Sequence, residues 1–373
     1  MREAKKDLSK QYARARRVLL LCDILLTLAF LVATLLWPVS RALRDIAEHF
    51  TSSPALGLAV FLFGYGVLFY LVNLPANFYG GFYLEHRFDL STQKFSAWVW
   101  EEAKGVCITS VIGLLLIEGL YVLLRASPSG WWAWAALGWI FFTFLLGKFA
   151  PVLLLPLFFK CVPLEDAALR DRLLKLADRM GAKVQGVFTI NLSKKTKKAN
   201  AALTGFGGTR RILLGDTLLQ DYTPDEIEAV LAHELAHHTL AHLWKQLITS
   251  SAASFAGLYL ASLILERGAG ALGFRSASDW AAFPLLGLVL FAFGLVMMPI
   301  QNGYSRKLER GADVLALRTI SHPRPFIDLM KKLGEKNLSD ISPPAWIEWL
   351  LYDHPAISKR IALGESFESA KAL

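Results

Sequence analysis

The chain has 373 residues, of which 54% are hydrophobic, a mean hydropathy of +0.40 and a formal net charge of +9. This composition is too apolar for an ordinary soluble domain, so the lipid bilayer must be considered as a solvent. Basic residues in so apolar a chain typically flank membrane spans, and no nucleic-acid-reading motif is present, so we expect no nucleic-acid partner. The three cysteines are scattered without paired spacing, which argues against a disulfide framework.

Apolar stretches long enough to cross the hydrocarbon, about 20 residues each, occur six times in the sequence. The predicted spans are 18–37, 56–79, 105–124, 131–159, 247–265 and 281–302. The first span follows a basic N-terminus and is longer than the apolar part of a cleavable signal peptide, so we expect it to be retained. We expect Pro151 and Pro156 to break the fourth span.

The distribution of basic residues predicts the orientation of these spans. If the N-terminus is cytoplasmic and the spans alternate, 34 of the 40 Lys and Arg residues fall in cytoplasmic segments, as the positive-inside rule requires. These segments are 1–17, 80–104, 160–246 and 303–373. We therefore expect a multi-pass protein of the cytoplasmic membrane, with its lipid bilayer as a partner and the two long segments on the cytoplasmic side.

Segment 160–246 is the longest stretch without a span, and its pattern predicts a small domain. An amphipathic helix is expected over 163–180. Short strands are then expected at 184–193, 199–206 and 210–215, with Gly205, Gly207 and Gly208 at the last turn. Thr223 as N-cap and Glu226 three residues later predict a helix that continues to about His242.

This predicted helix carries the motif His-Glu-x-x-His at 233–237. Residues four apart share one helix face, so the imidazoles of His233 and His237 can bind one ion, and zinc suits such ligands. Glu234 is then placed to act as the general base that takes a proton from the attacking water. His238 and His242 have the same spacing, and we weigh a second metal site against solvated or helix-capping histidines, which we favour.

A zinc site of this kind needs a third protein ligand. Glu309 and Asp313 lie four residues apart just after the sixth predicted span. We expect Glu309 to be the third ligand and Asp313 to accept a hydrogen bond from a ligand imidazole. Without the His-Glu-x-x-His motif, these residues would be interpreted as part of a solvated charged helix.

The motif at 233–237 followed by Glu309-x-x-x-Asp313 resembles the gluzincin membrane proteases, which include the type I CAAX prenyl proteases and the more distant HtpX-like proteases. Residues 83–95 and 151–166 are similar to segments of the CAAX prenyl proteases and favour that branch. That family is described with seven spans, whereas we predict six.

The resemblance also implies roles for residues outside the metal ligands. Asn200, with Ala201, matches a strand thought to bind the substrate backbone, and the stretch 199–206 would offer a strand edge to an extended peptide. His354, followed by Pro355, would stabilise the oxyanion of the tetrahedral intermediate. Arg360 would brace the site or bind substrate.

Together these patterns predict a mainly α-helical multi-span membrane protein with a small β-sheet in a gluzincin metalloprotease domain. The predicted division is 1–160, with four spans, and 161–373, with the peptidase domain and two further spans. The expected function is zinc-dependent hydrolysis of peptide bonds near the membrane, with one zinc ion per chain. The substrate would be a peptide or protein, and both prenylated and membrane-embedded substrates are candidates.

Two other functions compete with this one. One is quality control of membrane proteins by an HtpX-type protease. The other is a non-catalytic zinc-binding scaffold or a transporter. The presence of Glu234 counts against a scaffold, because a purely structural site needs no base, and no clear inverted repeat supports a transporter.

Overall fold

The computed structural model describes residues 2–205 and 209–371, with side chains described from residue 7 onward. The N-terminal part is a series of helices: α1 Arg2–Leu36, α2 Val39–Phe50, α3 Pro54–Phe78, α4 Leu84–Arg87, α5 Phe95–Ala126, α6 Trp131–Leu153 and α7 Leu155–Phe158. A single π-helical turn, Tyr79–Tyr83, joins α3 to α4. The later helices are α8 Ala167–Arg179, α9 Asp216–Asp221, α10 Pro224–Thr239, α11 His242–Ala271, α12 Phe283–Thr319, α13 Arg324–Lys336, α14 Ala345–Leu351 and α15 Ile357–Lys371.

Within residues 2–205 and 209–371, six helical segments are long and apolar enough to cross a membrane, in agreement with the predicted number. They are Asp7–Leu36, Pro54–Arg87, Phe95–Ala126, Trp131–Leu153, His242–Ala271 and Trp280–Thr319. Most extend beyond the apolar stretches because their polar flanks continue the helix. The fourth differs from the prediction at its end, since α6 continues through Pro151 and the break falls at Leu154, immediately before the short helix that contains Pro156.

In the part of the chain that the structure describes, four short strands form one mixed sheet: β1 Cys161–Pro163, β2 Val187–Ile190, β3 Ala201–Thr204 and β4 Arg211–Gly215. The order is β1-β2-β4-β3, with β2 and β4 parallel and the other two pairs antiparallel. The three predicted strands are present but shorter, and β1 was not predicted. Gly205 adopts φ +90° after β3, a conformation that favours glycine, whereas Gly207 and Gly208 lie outside the described residues.

Buried apolar side chains form two main clusters. One lies among the spans and includes Leu285 and Val289 of α12. The other joins α8, the sheet, α10 and α13, and includes Ala316 and Leu317 near the other end of α12. The helix α12 therefore belongs to both clusters and connects the spans with the C-terminal part of the chain. The predicted domain boundary at residue 160 remains a prediction.

A second connection joins the two parts through the segment before α5. Ser91 pairs with Thr196 in an isolated β-bridge. Lys198 Nζ lies 2.8 Å from Glu85 Oε2, and the side chain of Tyr12 hydrogen-bonds to Glu85 as well. These contacts fix the stretch that leads into β3 against the N-terminal helices.

Candidate metal centre and active site

Helix α10 positions the two motif histidines. It begins at Pro224, with the predicted capping box of Thr223 and Glu226 fully formed. Its apolar side is buried in the cluster that joins α8, the sheet and α13, through a set of small and aliphatic residues. These are Ile227, Ala229, Leu231, Ala232 and Leu235. Because this face is fixed by packing, the opposite face holds His233 and His237 one turn apart.

The carboxylate of Glu309 reaches this pair from α12. His233 Nε2 lies 3.2 Å from His237 Nε2 and 3.2 Å from Glu309 Oε2, and His237 Nε2 lies 3.3 Å from Glu309 Oε1. Among the described residues, these three side chains form the group of potential metal ligands whose ligand atoms all lie within 4.8 Å of one another. The predicted set of ligands is thus brought together in space.

The dimensions of this cluster can be compared with those of a zinc site. Ligand atoms about 2.0–2.2 Å from a tetrahedral ion are separated from one another by about 3.3–3.6 Å. The observed separations among His233, His237 and Glu309 are 3.2–3.3 Å. Glu309 Oε2 is also buried and makes no hydrogen bond to any described residue, which is costly for a carboxylate without a cation. The residues therefore fit a divalent ion with imidazole and carboxylate ligands.

Behind His233 lies a second layer formed by Asp313 and Arg360. His233 Nδ1 is 2.9 Å from Asp313 Oδ1, and the Asp313 side chain is almost fully buried at 1% exposure. Arg360 donates from Nη2 to Asp313 Oδ1 at 2.6 Å and from Nε to Oδ2 at 2.9 Å. The predicted hydrogen bond from a ligand imidazole to Asp313 has the expected geometry, and Arg360 braces the carboxylate that receives it.

This layer changes the acid–base behaviour of His233. Burial lowers the pKa of His233, but its contacts with Asp313 and Glu309 outweigh burial and raise the pKa to about 9. An imidazole must be neutral to bind a metal, so a proton and a metal ion compete for the same nitrogen. The negative charge of Asp313 and Glu309 around His233 thus favours binding of either a proton or a metal ion.

His354 lies at the open side of the cluster, in the loop between α14 and α15. Its Nε2 is 3.4 Å from Glu309 Oε2, and its Nδ1 is 2.8 Å from Asp353 Oδ1. The hydrogen bond with Asp353 raises the pKa of His354 against the opposing effect of burial. The imidazole is half exposed, at 51%, and remains accessible to a substrate.

The remaining predicted residues, Glu234 and Asn200, lie on two elements that pack together. Glu234 is half-buried on α10, one residue after His233. Asn200 is exposed directly before β3, and its carbonyl accepts a hydrogen bond from Gly215 N at 2.9 Å. The strand β3 is at the end of the sheet order and lies against α10. One edge of β3 therefore makes no ladder pairing with a described strand.

His242 corrects the sequence-based interpretation of the histidine pair at 238 and 242. The helix ends at Thr239 rather than at His242, because Ala241 adopts the left-handed conformation with φ 53° and starts a new helix. His242 turns back, and its Nδ1 lies 3.0 Å from Nδ1 of His237. Among the described residues it is thus a neighbour of a predicted ligand, a role that the spacing with His238 did not indicate.

Comparison with known proteins agrees with this geometry. Residues 163–365 match the model of peptidase family M48. This chain belongs to peptidase family M48. Residues 1–160 match a second model, described as the CAAX prenyl protease N-terminal region with five membrane helices. Within the described residues 2–160, four helices qualify as spans, and α2 has only 12 residues.

Several known proteins resemble the chain over most of its length. It is 26% identical to the metalloprotease YhfN of Bacillus subtilis, over 99% of this chain and 88% of that protein. It is 28% identical to CAAX prenyl protease 1 of Saccharomyces cerevisiae, over 86% of this chain and 74% of the relative. The crystal structure of S. mikatae Ste24p matches with a TM-score of 0.85 and 24% identity, covering 97% of this chain and 89% of that one, and shares its fold.

These findings confirm the predicted class of protein. The chain is an integral membrane metallopeptidase of family M48, related to the CAAX prenyl proteases, and it hydrolyses peptide bonds in a peptide or protein substrate. Its metal dependence follows from the family, and the predicted ligands converge where a metal would be held.

Proposed function

We propose that the chain is a zinc endopeptidase that cuts the prenylated C-terminal segments of proteins at the cytoplasmic surface of the membrane. The main support is the trio of His233, His237 and Glu309, whose ligand atoms are spaced as a tetrahedral zinc site requires. Several relatives are named as CAAX prenyl proteases, and the excess of basic residues in the segments that flank the spans supports a cytoplasmic position for the peptidase part.

Glu234 and His354 have separate roles in the proposed hydrolysis. A bound zinc ion would polarise the attacking water and the scissile carbonyl. Glu234 accepts the proton that the water loses during attack and then donates it to the leaving amine. The Nε2–H group of His354, whose Nδ1 is already bonded to Asp353, stabilises the negative charge that develops on the carbonyl oxygen.

The other residues act on binding and orientation. The edge of β3 that pairs with no described strand accepts an extended peptide as an added strand, with Asn200 at its start. Asp313 and Arg360 hold His233 in the tautomer whose Nε2 faces the metal, because Nδ1 donates to Asp313. Each predicted site residue thus takes part in one chemical step or supports a residue that does.

The test is to compare wild type with Glu234→Gln in purified full-length protein. We expect Glu234→Gln to retain one zinc ion per chain and to lose about 10²–10⁴-fold in kcat on a farnesylated C-terminal peptide. Glu365→Gln, an exposed change of the same kind on α15, serves as the matched control and should leave kcat unchanged. Equal activity of wild type and Glu234→Gln would rule out this catalytic role.

A second comparison separates the substrate classes. The farnesylated peptide, the same peptide without its prenyl group and an unfolded membrane protein are offered to the wild-type enzyme. A higher kcat/KM for the farnesylated peptide is the expected result. Preference for the unfolded membrane protein would instead support a quality-control protease.

A further inference from the structure

A basic cavity lies next to the proposed active site, on the far side of Arg360. Its volume is about 530 Å³, and it is formed between α12, α14 and the start of α15. Five of its lining residues are cationic: Arg306, Lys307, Arg310, Lys359 and Arg360. The acidic residues that line it are Asp313 and Glu348, so positive charge is in excess.

Three of these cations are already engaged within the protein. Arg360 pairs with Asp313, and Lys359 Nζ lies 2.6 Å from the carboxylate of Glu348. Arg306 donates to backbone carbonyls of α14 and of the residue after it. Both acidic groups of the cavity are therefore used, and Arg306 has a structural partner.

Lys307 and Arg310 are different. Both are exposed, and neither has an acidic partner within 4.0 Å among the described residues. They lie three residues apart on α12, so their side chains project from neighbouring positions of the helix. An anion that entered the cavity would meet two unneutralised cations, and Arg and Lys are suited to phosphate oxygens.

The position of these cations along α12 places them at the surface of the bilayer. The sixth apolar stretch ends near residue 302, and Lys307 follows about 8 Å later at 1.5 Å per residue. The headgroup layer is about 5–8 Å thick on each side of the hydrocarbon. Long basic side chains also extend toward such a layer. Lys307 and Arg310 are therefore at or just beyond the depth of the lipid phosphates.

The neighbouring helix α14 gives independent support for this depth. Trp346 and Trp349 lie on one face of α14 and are 66% and 59% exposed, while Ile347 and Glu348 are buried. Exposed tryptophans with this spacing are costly in water but typical of the membrane interface, where their rings sit at headgroup level. The cavity and the tryptophan face are adjacent because α14 packs on α12.

We propose that this cavity binds the phosphate headgroup of an anionic phospholipid, with Lys307 and Arg310 as its main ligands and Trp346 and Trp349 anchoring α14 in the same leaflet. Under the orientation in the proposed function, this is the cytoplasmic leaflet, which carries anionic lipids. Arg360 lines the cavity and also braces Asp313. Only the side chain of Arg360 would therefore separate the bound headgroup from Asp313, the carboxylate that supports the proposed metal site.

Binding of a short-chain phosphatidylglycerol to the full-length protein in detergent, followed by native mass spectrometry, tests the proposal. The wild type should bind one molecule much more tightly than it binds short-chain phosphatidylcholine. Each cation near an anionic headgroup contributes about fivefold in affinity, so Lys307→Gln with Arg310→Gln should weaken this first site by about 25-fold. Arg360 is left intact, because its loss would disturb Asp313.

The control is Lys183→Gln with Arg318→Gln, which removes the same charge from two exposed positions outside the cavity. This control should leave the affinity of the first lipid-binding site unchanged. If both double variants weakened lipid binding equally, the effect would come from net charge alone and the proposal would be overturned. Binding of inorganic phosphate as tight as that of the lipid would assign the cavity to free phosphate and exclude the lipid. The readout is binding, so either result leaves the proposed peptidase activity to its own test.

Discussion

The guanidinium of Arg360 and the carboxylate of Asp313 form a two-point ion pair directly behind the imidazole of His233. Two separate nitrogens of Arg360 contact the two oxygens of Asp313, at 2.6 Å and 2.9 Å, and Arg360 Nη2 is also 3.4 Å from His233 Nδ1. Only the planar fork of arginine offers this geometry. A residue on the last helix of the chain thus fixes a predicted metal ligand on α10.

We predict that Arg360→Lys weakens zinc binding by about 10–100-fold although it preserves the charge. A lysine offers one point charge in place of two parallel hydrogen bonds, so Asp313 loses its fixed orientation and His233 its fixed tautomer. Competition with a zinc chelator measures the change. Arg318→Lys on α12 is the control, and unchanged zinc affinity in Arg360→Lys would mean that charge alone supports the site.

We predict that His242 supports His237 in the same manner. In the proposed site His237 would hold the metal through Nε2, so its Nδ1 would carry the proton and donate to Nδ1 of His242, 3.0 Å away. His242→Phe removes the acceptor and should lower zinc affinity by about 10-fold or more. His242→Asn, whose side-chain oxygen can replace the ring nitrogen, should restore most of it.

The control for His242 is its neighbour. His238→Phe changes a half-buried histidine on α10 that contacts none of the three predicted ligands in the described structure, so zinc affinity should stay the same. If the changes at 238 and 242 had equal effects, the contact between His242 and His237 would have no special role.

We predict that low pH loosens the loop that presents His354, through Glu348. Burial raises the pKa of Glu348, but hydrogen bonds from Lys359 and from the backbone of Ala356 lower it more, so it lies below the ordinary value of 4.5. A carboxylate with a depressed pKa stabilises the fold above its unfolded pKa, and this contribution is lost as the pH falls through the folded value.

Thermal unfolding in detergent at pH 7 and pH 4 measures this effect. Glu348→Gln should lower stability at pH 7 by about 1–3 kcal/mol, the range for hydrogen bonds to a charged group. The variant should also lose less stability than wild type between the two pH values, since it has no group to titrate there. An identical decrease in both proteins would exclude Glu348 as the source.

We predict that Asn200→Ala raises KM more than it lowers kcat for a peptide substrate. Asn200 is exposed at the start of the β3 edge and is not among the three predicted ligands, so its loss removes substrate contacts without changing the metal. Steady-state kinetics on one peptide series measures the two constants. A fall in kcat with unchanged KM would mean that Asn200 stabilises the transition state rather than the bound substrate.

The sequence allowed the local features of this fold to be predicted. A span needs only a run of apolar residues, and a helix start needs only the capping residues Thr223 and Glu226, so both are encoded over short distances. The spacing of His233 and His237 is local as well. Glu309 and Asp313 were predicted because their own spacing matches a helix and the chemistry requires a third ligand.

Other features depend on contacts between distant segments and could not be predicted in this way. His242 approaches His237 only because Ala241 reverses the chain locally, and nothing in an alanine indicates a positive φ. The strand β1 has three residues, too few for an alternating pattern, and exists through its pairing with β2. The proposed role of Lys307 and Arg310 in binding an anion follows only from their position next to α14 and the membrane surface.

Helix α12 runs without interruption for 37 residues, from Phe283 in the span cluster to Thr319 in the peptidase core. Glu309 is about 10 Å along this helix from the end of the apolar stretch near residue 302. The cutting position would thus be set at a fixed height above the bilayer by a single rigid element. Such a protein would select substrates by the distance between their scissile bond and the lipid surface, because only a bond at that distance can reach the metal site.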